Sequence, residues 1–227
     1  VQERMTQQIE ELFADLARAT AKTDLVVFAG RVGGRFMDNV KYLFRHCLVE
    51  KQPFKPVFLT HHKAEQIMLA KAGLPSLLFP SDEAVHLLPR ARLVVCDDFW
   101  WKTQTPAYHL LREARTLQMW HGIPLKLIGF PEIESDLNMT PDKSEKLRFG
   151  YSGYDAVLST SPFVTQTSLG RVFETREMWE TGYPRNDALF REPDAIDLLG
   201  VDQQSLHTLR TFSAGGFRTV FFMPTFR

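Results

Sequence analysis

The chain reads as an α/β protein built on a parallel sheet with helices on both faces. Three observations predict this. Short apolar runs of strand length recur along the chain, segments with helical spacing separate them, and Gly, Pro or acidic turns mark the joints.

The elements follow in order. Met5, Ile9, Leu12, Phe13 and Leu16 share a helical period and predict an opening helix. Leu25 to Ala29 is uniformly apolar and predicts a buried first strand, ending at the loop Gly30-Arg31-Val32-Gly33-Gly34. A helix follows with Val40, Leu43, Phe44 and Cys47 on one face. Pro56 to Thr60 predicts a second strand, His62 to Ala72 a helix, and Leu77 to Phe79 a third strand. Ser81 is placed to cap the helix that runs to about Leu88. Leu93 to Cys96 predicts a fourth strand ending in Asp97-Asp98, Thr116 to Trp120 a fifth, and Ala156 to Ser159 a sixth. Ser161-Pro162 is a helix start, with serine at the cap and proline in the first turn. Met178 to Thr181 predicts a seventh strand, Asp194 to Phe212 a polar helix, and Thr219 to Met223 one more strand. The pattern divides into an α/β domain over 1–190, a helical bridge over 191–215, and the first strand of a following domain over 216–227. Val1 in place of Met suggests a piece of a longer chain.

Composition narrows the function classes. The 227 residues are 44% hydrophobic and 24% charged, which excludes a disordered or fibrous chain and suffices for a core without staples. Lys+Arg and Asp+Glu are 27 each, which argues against a generic nucleic-acid binder. Cys47 and Cys96 lie inside apolar runs, as buried free thiols of a reducing compartment do. No secretory leader and no membrane-spanning apolar stretch is visible, so the protein is expected to be cytoplasmic or peripheral to a membrane.

In open α/β sheets, ligands bind beyond the carboxyl ends of the strands. His121 follows the fifth strand in Trp120-His121-Gly122-Ile123-Pro124-Leu125-Lys126 and has the pKa range of a general base. Gly122 allows close approach of a ligand, and Lys126 supplies charge for a phosphate. In Gly182-Tyr183-Pro184-Arg185-Asn186-Asp187, Arg185 offers a fork for phosphate or carboxylate, and Asn186 or Asp187 a cap for a following helix. A plain turn and cap is the competing reading of that segment. Residues 31–63 hold seven Lys/Arg against two acids, which suggests an anionic partner or a membrane surface, with a solvated helix face as the equal alternative. Asp97-Asp98 offers carboxylates for Mg²⁺ but more simply caps a turn, and His61-His62 lacks zinc-site spacing. Trp100-Trp101 is most simply a packing element. Dinucleotide, Walker and serine-elbow patterns are absent.

Four segments carry a resemblance. Gln118 to Gly129 resembles the Q-x-W-H-G-x-P-L-K-x-x-G motif of the CDP-glycerol glycerophosphotransferases, the teichoic-acid primases, polymerases and related capsule enzymes. Gly182 to Asp187 is similar to that family's G-Y-P-R-N-D segment, and Met223 to Arg227 to its A-P-T-[WF]-R segment. Gly30 to Leu43, with Asp38-Asn39 and Lys41-Tyr42, resembles its early D-N-x-K-Y stretch. Ile123 stands where the family often has threonine.

The resemblance implies the Rossmann-like N-terminal half of a GT-B architecture. It also implies transfer of glycerol phosphate, or a related alditol phosphate, from CDP-glycerol to a hydroxyl of a lipid-linked polymer or capsule saccharide, releasing CMP. It maps the catalytic histidine onto His121, and the residues expected to bind phosphate and substrate are Lys126, Arg185, Asn186, Gly122, Asp38 and Arg227, all within the matching segments. A second functional histidine and most CDP contacts belong to the family's C-terminal domain, so the full-length protein is the expected enzyme and this chain alone is not. The expected location is the cytoplasm, on the inner face of the plasma membrane. Mg²⁺ is an open cofactor, and no nucleic acid is expected. The competing readings are a GT-B glycosyltransferase using a nucleotide sugar and a non-catalytic module that binds an anionic polymer or a partner.

Overall fold

The computed structural model describes residues 2–222. Seven strands form one sheet: β1 (Leu25–Ala29), β2 (Lys55–Thr60), β3 (Ser76–Leu78), β4 (Leu93–Cys96), β5 (Arg115–Gln118), β6 (Tyr154–Ser159) and β7 (Thr175–Glu180). Their order is β3-β2-β1-β4-β5-β6-β7, and every neighbouring pair is parallel. The chain runs outward from β1 to β3, returns to β4 beside β1, and then runs outward the other way. Right-handed crossovers therefore put the helices of the two halves on opposite faces.

The side chains agree with that topology. Every residue of β1 is buried, which requires cover on both faces. Leu25, Val27 and Ala29 join Leu59, Val94 and Cys96 in a cluster closed by Trp100, Trp101, Leu110 and Leu111. On the other face Phe28 meets Phe44 edge-on at 5.2 Å, Phe44 meets Phe58 at 5.6 Å, and Phe36 meets Phe58 at 5.1 Å. Each fully buried Leu or Phe of these layers contributes roughly 1.5–3 kcal/mol of transfer free energy. Cys47 and Cys96 are buried and unpaired, as expected.

Several elements differ from their sequence-based outlines. The first helix, Gln2–Ala19, is present, but Met5, Ile9, Leu12 and Leu16 are exposed. Ala14 and Ala17 are its buried residues, since small side chains let the helix approach its neighbours closely. The segment after β1 is a single distorted turn, Arg31–Gly34, with Val32 and Gly33 in the left-handed region. β5 ends at Gln118, two residues short of Trp120, because Trp120 takes φ 53° and leaves the strand. β7 starts earlier than expected and exposes most of its residues, as an edge strand does. Ser81 and Ser161 cap their helices as expected, accepting the N–H of Ala84 and of Val164. Asp194 to Phe212 is helical only from Gln203, where Asp202 caps the helix Gln203–Ala214. Residues 219–222 have no regular structure, and Met223 to Arg227, including the expected end of the last strand, lie outside the described residues.

The chain divides into two compact units, 1–192 and 193–227. The first carries the sheet. In the second, the helix Gln203–Ala214 turns at Gly215 and Phe212 packs on Phe217 with ring centroids 5.8 Å apart. No helix among the described residues is long and apolar enough to cross a membrane.

Candidate active site

β1 and β4 are neighbours from which the chain departs in opposite directions, so the crevice beyond their carboxyl ends is the switch point where α/β sheets bind ligands. Three loops line it directly: Gly30–Arg35 after β1, Asp97–Phe99 after β4 and Met119–Gly122 after β5. A fourth comes from the far edge. Gly182–Arg185 leaves β7 and returns across the strand ends to the helix Asp38–Val49.

Trp120 organises the third loop. Its N–H donates to Gln118 Oε1 at 2.8 Å, and its carbonyl accepts from Asn39 Nδ2 at 2.8 Å. Gln118 and Asn39 are both fully buried. Two amide side chains thus satisfy both backbone polar groups of a tryptophan in a conformation that bulky residues avoid. The indole packs among Phe99, Tyr151 and Phe173 at 6.0, 5.5 and 5.2 Å. This turn sets the next residue, His121, against the end of β4.

His121 Nδ1 lies 2.9 Å from the carbonyl oxygen of Asp97. A carbonyl only accepts, so Nδ1 carries the proton and Nε2 is left with the lone pair. Burial lowers the His121 pKa below 6.5 and Arg31 pushes the same way, against the Asp97 carbonyl, Asp98 and Asp38. A neutral imidazole with a fixed tautomer and a free Nε2 is the form a general base needs. The Asp97 carboxyl itself is completely buried and pushed up to about 8, chiefly by burial. Its Oδ2 accepts the N–H of Val40, and its Oδ1 has no partner among the described residues.

Asp38 joins two arginines. Its Oδ1 accepts from Arg185 Nη1 at 2.7 Å, and its Oδ2 from Arg31 Nη1 at 3.2 Å. Arg185 Nη1 also donates to the carbonyl of His121 at 2.9 Å, and the Arg185 N–H donates to Asn39 Oδ1 at 3.3 Å. The structure therefore brings together His121, Asp38 and Arg185 of the expected set, with Arg185 bracing the loop that carries His121.

The other expected residues stand elsewhere. Gly122 adjoins His121, its φ is not left-handed, and a Cβ there would meet nothing within 4 Å. Lys126 is exposed and borders a groove of about 400 Å³ with Ile123, Pro124, Phe163 and Arg171. Asn186 is exposed inside the 3₁₀ helix Pro184–Phe190. That helix starts at Pro184 after Tyr183, so neither Asn186 nor Asp187 caps it. Arg227 lies outside the described residues.

The seven basic residues of 31–63 do not form one free face. Arg31, Arg35 and Lys55 pair with Asp38, Glu65 and Asp24, and Lys41 is buried with its ammonium 5.3 Å from the Phe36 ring. Asp98 spends Oδ1 on the Phe99 N–H and Oδ2 on the Val32 N–H. Asp97 and Asp98 gain no third His, Cys, Asp or Glu, and no group of three such residues among the described residues could hold a metal. Trp100 and Trp101 are core residues, and Trp100 Nε1 donates to the carbonyl of Gly30. A cleft of about 600 Å³ opens at the amino ends of β5 to β7, away from this cluster.

The sequence assigns no individual role to Gln118, Asn39, Arg31 or the Asp97 carbonyl. Gln118 and Asn39 do stand inside the motifs, which was the one available signal.

The family described as CDP-glycerol:poly(glycerophosphate) glycerophosphotransferase matches residues 12–227. The teichoic acid poly(glycerol phosphate) polymerase of Bacillus subtilis (strain 168) is 24% identical over 193 residues, which make up 83% of this chain and 25% of that protein. The teichoic acid glycerol-phosphate transferase of Staphylococcus aureus (strain NCTC 8325 / PS 47) is 28% identical over 173 residues, 73% of this chain and 42% of that protein. A histidine-to-asparagine variant of the wall teichoic acid polymerase TagF, soaked with CDPG, has the same fold with a TM-score of 0.63 at 19% identity, over 92% of this chain and 52% of that one. The unsubstituted TagF gives a TM-score of 0.58 at 18% identity. The chain thus spans less than half the length of the two curated relatives it matches. With the match running from residue 12 to the last residue, the chain belongs to the CDP-glycerol:poly(glycerophosphate) glycerophosphotransferase family.

Proposed function

We propose that the full-length protein transfers glycerol phosphate from CDP-glycerol to a hydroxyl, with His121 as the general base. The observation that carries this is the Nδ1 contact to the Asp97 carbonyl, which leaves Nε2 as the acceptor of a proton. The acceptor hydroxyl loses its proton to Nε2 as its oxygen attacks the glycerol-bearing phosphorus. A new P–O bond forms, the pyrophosphate P–O bond breaks, and CMP departs with that electron pair. A positioned base contributes roughly 10²–10⁴-fold to such a step.

Family membership supports CDP-glycerol as donor and a poly(glycerophosphate) end as acceptor; we read that acceptor as lipid-linked, with a capsule saccharide as the alternative. Lys126 and the unspent N–H groups of Arg185 are the candidates to steady phosphate, with Gly122 leaving room beside His121. Working on a lipid-linked acceptor places the protein at the cytoplasmic face of a membrane. We read 1–190 as the acceptor-side domain, 191–215 as a bridge and 216–227 as the first strand of a nucleotide-binding partner domain. The exposed side chains of Val220, Phe221 and Phe222 support that reading of the last segment.

The test is CMP release by the full-length protein offered CDP-glycerol, CDP-ribitol or UDP-sugars. CDP-glycerol is expected to be preferred, and His121→Ala to lower turnover by at least about 10²-fold. Preference for a UDP-sugar would make the protein a glycosyltransferase. Near wild-type turnover by His121→Ala would remove the base from this histidine.

A further inference from the structure

We propose that the loop Gly30–Arg35 is a phosphodiester-binding loop with Arg31 as its charged contact, holding the acceptor's last phosphodiester beside His121. This rests on the preceding reading and adds a residue and a ligand to it.

The loop leaves β1 at the switch point of the sheet, the place where such a ligand is expected. Its backbone is unusual and firmly held. Val32, a β-branched residue, has φ 54° and ψ 50°, a combination that marks functional loops when the surroundings enforce it. The surroundings do enforce it. The Val32 carbonyl lies 2.8 Å from His62 Nε2, and its N–H points at Asp98 Oδ2 at 3.4 Å. Behind it the backbone is packed so closely that a Cβ on Gly34 would meet the Leu59 carbonyl oxygen at 2.6 Å. The loop is thus fixed from β2 and from β4.

Of the loop's two arginines, Arg35 is paired with Glu65, whereas the donors of Arg31 are largely unspent. Nη1 reaches Asp38 Oδ2 at 3.2 Å, and Nε is buried with no hydrogen-bond partner. A guanidinium has five N–H donors, and no other hydrogen bond of this one exists among the described residues. Asp38 is shared with Arg185, so one carboxylate serves two guanidiniums. The next acid, Asp98, is turned to the backbone N–H groups of Val32 and Phe99. A singly charged phosphodiester matches a guanidinium that shares its one carboxylate and keeps donors unspent, since the arginine fork presents paired donors to phosphate oxygens.

The same chemistry exists in the donor's pyrophosphate, and the choice of the acceptor follows from His121. Arg31 holds one oxygen of Asp38, and Arg185 joins the other oxygen to the His121 carbonyl, so the guanidinium of Arg31 belongs to the cluster that carries the base. The imidazole takes its proton from the acceptor. In a poly(glycerophosphate) acceptor, one glycerol unit separates the terminal hydroxyl from the last phosphodiester. A base and a guanidinium set side by side therefore suit two groups of one acceptor end.

The experiment uses the full-length protein, CDP-glycerol and two soluble acceptors: an alkyl glycerophosphodiester ending in glycerol, and the matching alkyl glycerol without phosphate. Arg31→Gln is expected to raise KM for the phosphodiester acceptor roughly tenfold or more, and to leave KM for CDP-glycerol and for the phosphate-free acceptor unchanged. Arg31→Lys is expected to recover part of the loss. A raised KM for CDP-glycerol would assign Arg31 to the donor and overturn the inference. Equal losses with both acceptors would make Arg31 only a brace for Asp38, and would overturn it too. Direct titration of the phosphodiester probe onto wild type and Arg31→Gln, without CDP-glycerol, separates this inference from the proposed function. Weaker binding by the variant supports the loop's role even if no CMP is released, and equal binding overturns it even if turnover is intact.

Discussion

Side chains, more than backbone ladders, shape the residues around His121. Trp120 and Val32 both sit in the left-handed region, which costs bulky residues about 1–2 kcal/mol each. In both, side chains from other elements hold the N–H and the carbonyl: Gln118 and Asn39 for Trp120, Asp98 and His62 for Val32. Asn39 has a second task, since its Oδ1 receives the Arg185 N–H. The consequence for His121 is a pH profile. Burial, the leading influence, lowers its folded pKa below the usual 6.5, so the neutral base persists somewhat below that pH and is lost as pH falls through the lowered value. The acid limb of kcat/KM is expected below pH 6.5, and a limb at or above 7 would show that another group sets it. The same sign applies to stability: the fold prefers the neutral imidazole, so this group costs stability as pH drops below 6.5.

Among the elements, the strands were the most legible in the sequence. Runs such as Leu25–Ala29 and Leu93–Cys96 are apolar throughout because both faces of a central parallel strand are covered. Element ends were less legible, because tertiary bonds decide them. β5 stops where Asn39, 81 residues earlier in the chain, takes the Trp120 carbonyl. The first helix shows the limit of periodicity, for its exposed Leu12 and Leu16 fit a helical stripe as well as buried residues would. The last glycine of the Trp-His motif belongs to this scale. Gly129 has φ 62°, and a Cβ there would meet the Val172 carbonyl oxygen at 2.4 Å, which joins the loop after β5 to the residues before β7. Gly129→Ala is expected to lower the unfolding free energy by roughly 1–3 kcal/mol in a denaturant titration. A change within about 0.5 kcal/mol, the size of a neutral surface substitution, would show that the loop adapts freely.

For the whole molecule, the motifs far apart in the sequence converge on one place. Arg185 binds Asp38 across 147 residues, and with Asn39 it ties the edge of the sheet to its first crossover helix. No periodicity reveals such a junction; only the shared motifs hinted that the segments meet. All these contacts lie within 1–192, together with both aromatic layers. A fragment of those residues is expected to unfold in one cooperative transition by circular dichroism and by calorimetry, with equal van't Hoff and calorimetric enthalpies. Non-coincident transitions would place part of the core's support in the remaining residues.

One contact also gives the molecule an optical reporter. The Trp120 indole and the His121 imidazole lie 4.0 Å apart, centroid to centroid, at an interplanar angle of 31°. A protonated imidazole at that range quenches indole emission, whereas the neutral ring does so far less. The emission of Trp120 should therefore dim as His121 gains its proton. Trp100 has a histidine neighbour of its own in His61, so the difference between wild type and Trp120→Phe isolates the signal. The base's protonation state becomes visible in the resting protein, with no donor, acceptor or turnover required.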